Sequence, residues 1–124
     1  MTMLDGARVL LVEDELLVAM TLEDILRREG CLILGPFRRV EKAALAARTE
    51  AIDIALLDVN LAGERVFPVA AALVQRRLPF VFMTGYGPGD IAPEYAGRPV
   101  IGKPFRTAEL VEALTDAFHL QRAG

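Results

Sequence analysis

The sequence has little cysteine and little histidine, and both shortages exclude kinds of site. The single cysteine, Cys31, cannot form an intramolecular disulfide, which suits a protein of a reducing compartment. The single histidine, His119, falls near the end of the chain and far from Cys31 in sequence. A zinc site, which takes its ligands mainly from these two residue types, is therefore disfavoured. We expect Cys31 to pack in the core and His119 to lie on the surface.

The sequence also has no concentrated run of basic residues and no long apolar run. Lys and Arg together number 14 against 17 Asp and Glu, a net charge of −3. This balance gives no positive surface for nucleic acid or for an anionic membrane. The apolar runs are too short to span a bilayer, and Asp5 stands where a secretory signal needs positive charge. We therefore predict a cytoplasmic protein with no nucleic-acid or membrane partner.

What the sequence does have is a globular composition, in which 53% of the 124 residues are hydrophobic and 25% are charged. Such a chain is long enough to bury one core, so we predict one domain over residues 1–124. Short apolar runs alternate with stretches of helical spacing. The predicted strands are residues 7–12, 31–35, 53–58, 79–84 and part of 98–104. The predicted helices are residues 40–50, residues 66–77, a stretch ending at Gly30 and a stretch starting near Thr107.

The order of these elements predicts an α/β fold. Five strands alternate with helices through short connections, which is typical of a parallel sheet covered by helices on both faces. The weakest helix falls between the fourth and fifth strands, in the segment "GYGPGDIAPEYAG" at residues 85–97. Pro88, Pro93 and the glycines predict that any helix there is short, shifted or frayed. The second strand is predicted to stop before Pro36.

Polar side chains interrupt the apolar runs at one end of the predicted strands. Glu13 and Asp14 follow the first strand, Asp58 ends the third, Thr84 ends the fourth, and Lys103 ends the fifth. The carboxyl ends of parallel strands lie at one edge of the sheet, where open α/β sheets bind their ligands. We therefore expect these five residues to converge on one site.

The chemistry of this predicted site points to a hard cation and a phosphoryl group. Carboxylates brought together repel one another unless a cation lies among them, and oxygen ligands without His or Cys favour Mg²⁺. Lys103 and Thr84 add an ammonium and a hydroxyl donor, so with Mg²⁺ the site offers three contacts to the equatorial oxygens of a transferring phosphoryl group. Asp58 ends the central strand alone, so it is the best-placed nucleophile, and its product would be an aspartyl phosphate.

The same stretches resemble a known family, the receiver domain of two-component response regulators. The resemblance runs through the whole chain, in the order "VLLVEDE", "ALLDVNLAGE", "FVFMTGYG" and "IGKPF". It implies a flavodoxin-like, doubly wound sheet of five parallel strands in the order 2-1-3-4-5, with an atypical or short fourth helix. "FMTG" is similar to the Phe-Ala-Thr-Gly type motif of a single-domain subgroup, with Met83 in place of Ala. A single receiver domain with no output domain is therefore expected.

The resemblance also implies a role for the acidic residues and their neighbours. Asp58 corresponds to the phosphoacceptor, and Glu13 with Asp14 corresponds to the acidic pair that positions Mg²⁺. Asn60, two residues past the acceptor, would offer its backbone carbonyl to the metal. The phosphoryl donor would be a phosphohistidine on a sensor histidine kinase or a phosphotransfer protein, and the downstream partner is a protein that the sequence does not identify.

The remaining correspondences concern the phosphoryl pocket. Thr84 corresponds to the switch hydroxyl, Gly85 to the small neighbour that leaves room for the phosphoryl group, and Lys103 to the phosphate-binding lysine. Pro104 follows a Lys-Pro bond that is cis in this family. Tyr86 either shields the phosphoryl group from water or packs on its own loop.

One position departs from the usual pattern, and one surface has two interpretations. Many receivers carry an aromatic residue three positions before the lysine, where this chain has Val100, so the usual aromatic switch is not expected. Signalling would instead use residues 85–97. Leu16, Leu17 and Met20 widen the apolar face of the first helix, which indicates either a partner or dimer surface or burial under a loop. A monomer or a weak homodimer is expected.

Two other functions are open from the sequence. A small Mg²⁺-dependent phosphohydrolase would use the same aspartyl chemistry, although its usual second acid is replaced here by Asn60. A receiver-like scaffold that works without phosphorylation would not need the complete set of site residues. A nucleotide loop at "GYGPG" is disfavoured, because the Gly-Lys-Ser/Thr ending of a P-loop is missing.

Overall fold

A computed structural model describes residues 3–123 of the protein, and the side chains of residues 3–120. Its main sheet has five parallel strands in the order β2-β1-β3-β6-β7. These strands are β1 Arg8–Val12, β2 Leu32–Phe37, β3 Ile54–Asp58, β6 Phe80–Thr84 and β7 Val100–Gly102. A two-stranded hairpin is formed by β4 Asn60–Leu61 and β5 Glu64–Arg65. The α-helices are α1 Leu16–Arg28, α2 Val40–Thr49, α3 Phe67–Gln75 and α4 Thr107–Ala123.

The sheet confirms the predicted doubly wound α/β fold. Counted within the sheet alone, the strand order is 2-1-3-4-5. Strands β3 and β6 are buried along their whole length, which explains why their sequences read as continuous apolar runs. Asp58 pairs with Met83, and Thr84 pairs with Gly102, so the ends of β3, β6 and β7 lie side by side.

Two hydrophobic cores lie on the two faces of the sheet. Alternate residues of one strand point to opposite faces, so Leu10 joins one core and Leu11 the other. The first core packs α2 and α3 against the sheet, and α2 contributes mostly alanines, which allow α3 to lie close. The second core packs α1 and α4, through residues such as Leu22 and Leu114. Each fully buried leucine contributes about 1.5–3 kcal/mol of transfer free energy.

Strand β2 extends further than the sequence predicts. It continues through Gly35 and Pro36 to Phe37, because it is the edge strand and a proline there removes no hydrogen bond from an inner ladder. Gly35 has φ +114°, and a Cβ at this position would lie 2.5 Å from the carbonyl oxygen of Leu11. The backbone N–H of Glu13 donates to the Phe37 carbonyl at 2.9 Å, so the end of β2 helps to hold Glu13, a residue of the predicted site, in place.

Residues 85–97 form no α-helix, as the prolines and glycines predict. Two 3₁₀ turns, Pro88–Asp90 and Pro93–Tyr95, replace the fourth helix. Tyr95 anchors the second turn in the first core, where it is 8% exposed and stacks on Phe67 with ring centroids 5.5 Å apart. It also meets Phe80 and Phe82 edge to face.

The hairpin of β4 and β5 was not predicted. Its turn contains Ala62 at φ 49° and Gly63 at φ 87°, both in the left-handed region. Two consecutive residues with positive φ are typical of the tight turn that joins antiparallel strands. The Ala-Gly pair is a weak signal for such a turn, because Asn or Asp usually precedes the glycine.

His119 is exposed and Cys31 is buried, as predicted. Leu16, Leu17 and Met20 are exposed, so burial under a loop is wrong for them. Over residues 3–123, none of the helices combines the length and the apolar composition needed to span a bilayer.

Cys31 gives a simple test of the packing around α1 and β2. Burial is the main cause that raises the pKa of its thiol to about 11, with smaller effects from Glu29 and Asp5. The thiolate is the reactive form, so we expect alkylation by iodoacetamide at pH 8 to be at least about 100-fold slower in the folded protein than in denaturant. Equal rates in the two conditions would show that this core is open. Mass spectrometry of timed samples measures both rates.

Candidate functional site

The structure brings the predicted site residues together at the carboxyl edge of the sheet. Glu13 lies just past β1, Asp58 and Thr84 end β3 and β6, and Lys103 lies just past β7. Among the described residues, Glu13, Asp58 and Thr84 are the buried polar or charged ones, with exposures of 0%, 5% and 2%. An open cleft reaches Asp58, and it is lined by Asp14, Glu15, Asp58, Asn60, Ala62, Gly63, Gly85, Tyr86 and Lys103.

Three carboxylates form the centre of this site. One oxygen each of Glu13, Asp14 and Asp58 can be chosen so that all three lie within 4.8 Å of one another. Such a set consists of hard oxygen donors with excess negative charge, which fits a Mg²⁺ ion better than a transition metal. The residues present therefore fit the predicted metal.

Lys103 balances part of this negative charge. Its Nζ lies 2.9 Å from Oε1 of Glu13, 3.2 Å from Oδ2 of Asp58 and 3.6 Å from Oε1 of Glu15. Its backbone N–H donates to the Thr84 carbonyl at 2.9 Å, which holds the end of β7 against the end of β6. The Lys103–Pro104 peptide bond is cis, as the resemblance implies.

The electrostatics of Asp58 and Lys103 are those of a crowded, partly dehydrated site. Burial first, and then the neighbouring Glu13 carboxylate, raises the pKa of Asp58 to about 8, although Lys103 opposes the shift. Burial alone would lower the pKa of Lys103, but its hydrogen bond to Glu13 and the charges of Asp58 and Glu13 raise it. In the absence of a cation, the site thus opposes ionisation of Asp58 and keeps the lysine charged.

The hairpin of β4 and β5 covers the other side of the cleft. The backbone N–H of Ala62, in its turn, donates to Oδ2 of Asp14 at 2.9 Å. The side chain of Asn60 has other partners, since its amide donates to Asp90 at 3.2 Å and its carbonyl oxygen accepts from Arg65 at 3.1 Å. The metal contact expected of Asn60 involves its backbone carbonyl and stays a prediction.

Thr84 is held by partners that sequence reasoning missed. Its hydroxyl donates to Oδ2 of Asp90 at 3.0 Å and accepts the backbone N–H of Tyr86 at 3.0 Å. Asp90 in turn forms an ion pair with Arg65, with 2.7 Å between Nη1 and Oδ1. Asp90 stands in a Gly- and Pro-rich loop, and no spacing rule connects it with Thr84 or with Arg65. The sequence therefore carries no usable signal for this contact.

The residues predicted to form the phosphoryl pocket beside Thr84 lie in the cleft or in the groove next to it. Gly85 lines the cleft, and a Cβ added to it would meet nothing within 4 Å, so there is open space next to Thr84. Tyr86 also lines the cleft and is 80% exposed, which disfavours packing of its ring on the loop. Pro104 is exposed beside Lys103, in a neighbouring groove that also includes Leu17 and Phe105.

Comparison with known proteins agrees with this geometry. Residues 9–115 match the family described as the response regulator receiver domain. The chain belongs to this family. The receiver is 40% identical to SdrG from Sphingomonas melonis Fr1, whose solution structure gives a TM-score of 0.80 over 96% of this chain and 99% of SdrG. A solution structure described as the BeF3-activated conformation of SdrG from Pseudomonas melonis Fr1 is 39% identical, with a TM-score of 0.73 over 90% of this chain and 98% of that chain.

A curated relative is longer than this receiver. The transcriptional regulatory protein PdtaR of Mycobacterium tuberculosis is 29% identical over 111 residues, which are 86% of this chain and 54% of PdtaR. The receiver therefore spans about half the length of the curated relatives that it matches. What the comparisons establish is a receiver domain of a response regulator, a signalling protein of a two-component system.

Proposed function

We propose that the protein accepts a phosphoryl group on Asp58 in a Mg²⁺-dependent reaction and signals through residues 85–97. The observation that carries this proposal is the placement of Asp58 between a lysine and two further acids. Its carboxylate lies 3.2 Å from Nζ of Lys103, and it shares a cluster with Glu13 and Asp14. A nucleophile, a cation site and a positive side chain thus meet at one buried point of the sheet edge.

In the proposed reaction, an oxygen of the Asp58 carboxylate forms a bond to phosphorus. The bond between phosphorus and the imidazole nitrogen of a phosphohistidine breaks, and its electron pair stays on the imidazole. Glu13, Asp14, Asp58 and the backbone carbonyl of Asn60 would hold Mg²⁺, which when bound neutralises charge on the phosphoryl oxygens.

Lys103 has a defined part in this reaction. Before transfer, its ammonium group is shared between Glu13 and Asp58. When Asp58 becomes an acyl phosphate, the ammonium no longer faces a free carboxylate there and turns to the new phosphoryl oxygens, which lie beyond the Asp58 oxygen that attacks phosphorus. The same lysine thus keeps the acids together in the free protein and stabilises the transferred group.

The alternatives fit the site less well. In a phosphohydrolase, the second residue past the nucleophile is the usual acid and base, but Asn60 cannot titrate and its amide is bound to Asp90 and Arg65. A scaffold without phosphorylation leaves the cluster of Glu13, Asp14, Asp58 and Lys103 without a role. We therefore propose a cytoplasmic signalling receiver whose partners are a sensor histidine kinase or phosphotransfer protein and a downstream protein.

The first test of the proposal is the stoichiometry of phosphorylation by a small donor such as phosphoramidate. We expect one phosphoryl group per chain in the presence of Mg²⁺ and none after chelation. Repeated turnover of a generic phosphate ester would instead favour the phosphohydrolase.

Mg²⁺ binding itself is expected to stabilise the protein. At a Mg²⁺ concentration of about 100 times Kd, the free energy of unfolding should rise by about 2.7 kcal/mol, because the ion binds only the folded cluster. Thermal denaturation with and without Mg²⁺ measures this increase. The variant Asp14→Asn should lose most of it, whereas the exposed control Asp116→Asn should keep it. An equal response of both variants would place the ion elsewhere.

A further inference from the structure

The hydroxyl of Thr84 is already in use in the free protein. A threonine hydroxyl has one proton to donate, and here that proton goes to Oδ2 of Asp90 at 3.0 Å. The hydroxyl oxygen accepts the N–H of Tyr86. Thr84 is 2% exposed, so water does not compete for this proton. To donate to any other acceptor, Thr84 must first leave Asp90.

Asp90 is itself held firmly. Oδ2 accepts a second hydrogen bond from the Asn60 amide at 3.2 Å, and Oδ1 pairs with Nη1 of Arg65 at 2.7 Å. Nη2 of Arg65 donates to the backbone carbonyl of Asp90. The Asp90 side chain is 13% exposed and the Arg65 side chain 46%, so these charge-assisted contacts are shielded on the Asp90 side.

The contacts of Arg65 extend to the other end of the segment. Its guanidinium lies 5.3 Å from the centroid of the Phe67 ring, and this ring stacks on Tyr95. The Tyr95 hydroxyl donates to the Phe67 carbonyl at 3.4 Å. A continuous series of contacts therefore runs from Thr84 through Asp90, Arg65 and Phe67 to Tyr95, and it spans both 3₁₀ turns.

We propose that Asp90 is a positioning residue for Thr84, and that Asp90 and the phosphoryl group compete for the same hydroxyl proton. This inference rests on the proposed phosphorylation of Asp58. When a phosphoryl oxygen takes the Thr84 proton, Asp90 loses one of its donors and meets additional negative charge nearby. The contact between Asp90 and Arg65 then weakens, and the turn Pro88–Asp90 is released.

The competition predicts that a substitution at Asp90 raises, rather than lowers, the affinity of the protein for a phosphoryl mimic. Removal of Asp90 should strengthen the binding of a phosphoryl mimic, since Thr84 no longer has to give up a partner. We expect Asp90→Ala to bind beryllofluoride, in saturating Mg²⁺, about 5–10-fold more tightly than the wild type. Asp90→Asn keeps an acceptor for Thr84 but loses the ion pair with Arg65, so its affinity should lie between the two. A role limited to loop packing would leave the affinity unchanged or weaken it.

The experiment is an NMR titration of each protein with beryllofluoride, combined with amide hydrogen exchange over residues 88–95. The matched control is Asp53→Ala, which removes an aspartate that accepts hydrogen bonds from Arg8 at the opposite end of β3. Its affinity should stay within about twofold of the wild type. In Asp90→Ala without the mimic, exchange of residues 88–95 should rise toward the rate that the wild type shows with the mimic.

Each outcome decides the matter. Tighter binding by Asp90→Ala, with Asp90→Asn intermediate, supports the inference, and unchanged or weaker binding by a folded Asp90→Ala overturns it. If Asp90→Ala does not fold, the same comparison is made with Asp90→Asn alone. If the wild type binds no beryllofluoride, the proposed phosphorylation fails instead. In that case the exchange rates decide whether Asp90 holds the segment, and equal rates in wild type and variant overturn the inference.

Discussion

Replacement of Asp58 by asparagine is expected to abolish phosphoryl uptake and, at the same time, to make the metal-free protein more stable. The first effect follows from the loss of the nucleophile, because an amide does not form an acyl phosphate. The second follows from the environment of the carboxylate, which is 5% exposed and faces Glu13. A neutral side chain of the same shape removes one charge from this crowded group and leaves Lys103 paired with Glu13.

The sign of the stability effect depends on pH. The pKa of Asp58 is about 8 in the folded protein, above its ordinary value of 3.8, so folding favours the protonated carboxyl. The stability that this group contributes is complete below the ordinary pKa and is lost as pH rises toward and through about 8. At pH 8 and above, the free energy of unfolding of Asp58→Asn should therefore be about 1–3 kcal/mol higher than that of the wild type. This difference should shrink toward pH 5.

Urea denaturation in chelator at pH 5 and pH 8 measures this difference. The exposed variant Asp24→Asn, which removes an aspartate from a surface ion pair with Arg28, serves as control and should change stability by less than about 0.5 kcal/mol. A wild type that is more stable than Asp58→Asn at pH 8 would mean that the carboxylate cluster is not strained by repulsion.

Lys103→Met is expected to lose both stability and phosphoryl uptake. Glu13 is 0% exposed, and Lys103 is its cationic partner at 2.9 Å. Removal of one member of a buried ion pair leaves the other without compensation, which typically destabilises by about 3–5 kcal/mol. The rate of phosphoryl uptake should fall by about 100-fold or more, because no fixed ammonium group then stabilises the negative charge on the phosphoryl oxygens.

The double variant Glu13→Gln with Lys103→Met tests the cause of the stability loss. It removes the unpaired charge, so most of the lost stability should return, while phosphoryl uptake stays low. Lys42→Met, on the exposed face of α2, is the control and should be close to the wild type in both measurements. If Lys103→Met kept normal phosphoryl uptake despite its lower stability, Lys103 would have only a structural role in the site.

The main sheet could be predicted from the sequence because its strands are buried. Strands β1, β3 and β6 are apolar runs, and each is followed or ended by a polar residue at the edge of the sheet. Both the position and the carboxyl end of each strand can therefore be predicted from the sequence. The parallel topology then places Glu13, Asp58 and Thr84 side by side without any knowledge of side-chain geometry.

Features that depend on exposed or irregular backbone could not be predicted in the same way. β2 passes its proline because no other strand within residues 3–123 pairs with its outer edge, and an edge position is a property of the whole sheet rather than of "CLILGPF". The hairpin of β4 and β5 has strands of only two residues each, too short for an alternating pattern. The contact between Thr84 and Asp90 joins a strand end to a loop, so it depends on the path of that loop through space.

The most direct test of the account is the chemical identification of the phosphorylated residue. The protein is treated with a small phosphoryl donor in Mg²⁺, the acyl phosphate is reduced with borohydride, and the modified peptide is identified by tandem mass spectrometry. We predict modification at Asp58, once per chain, and no modification in Asp58→Asn. Modification at another carboxylate, or equal uptake by Asp58→Asn, would contradict it.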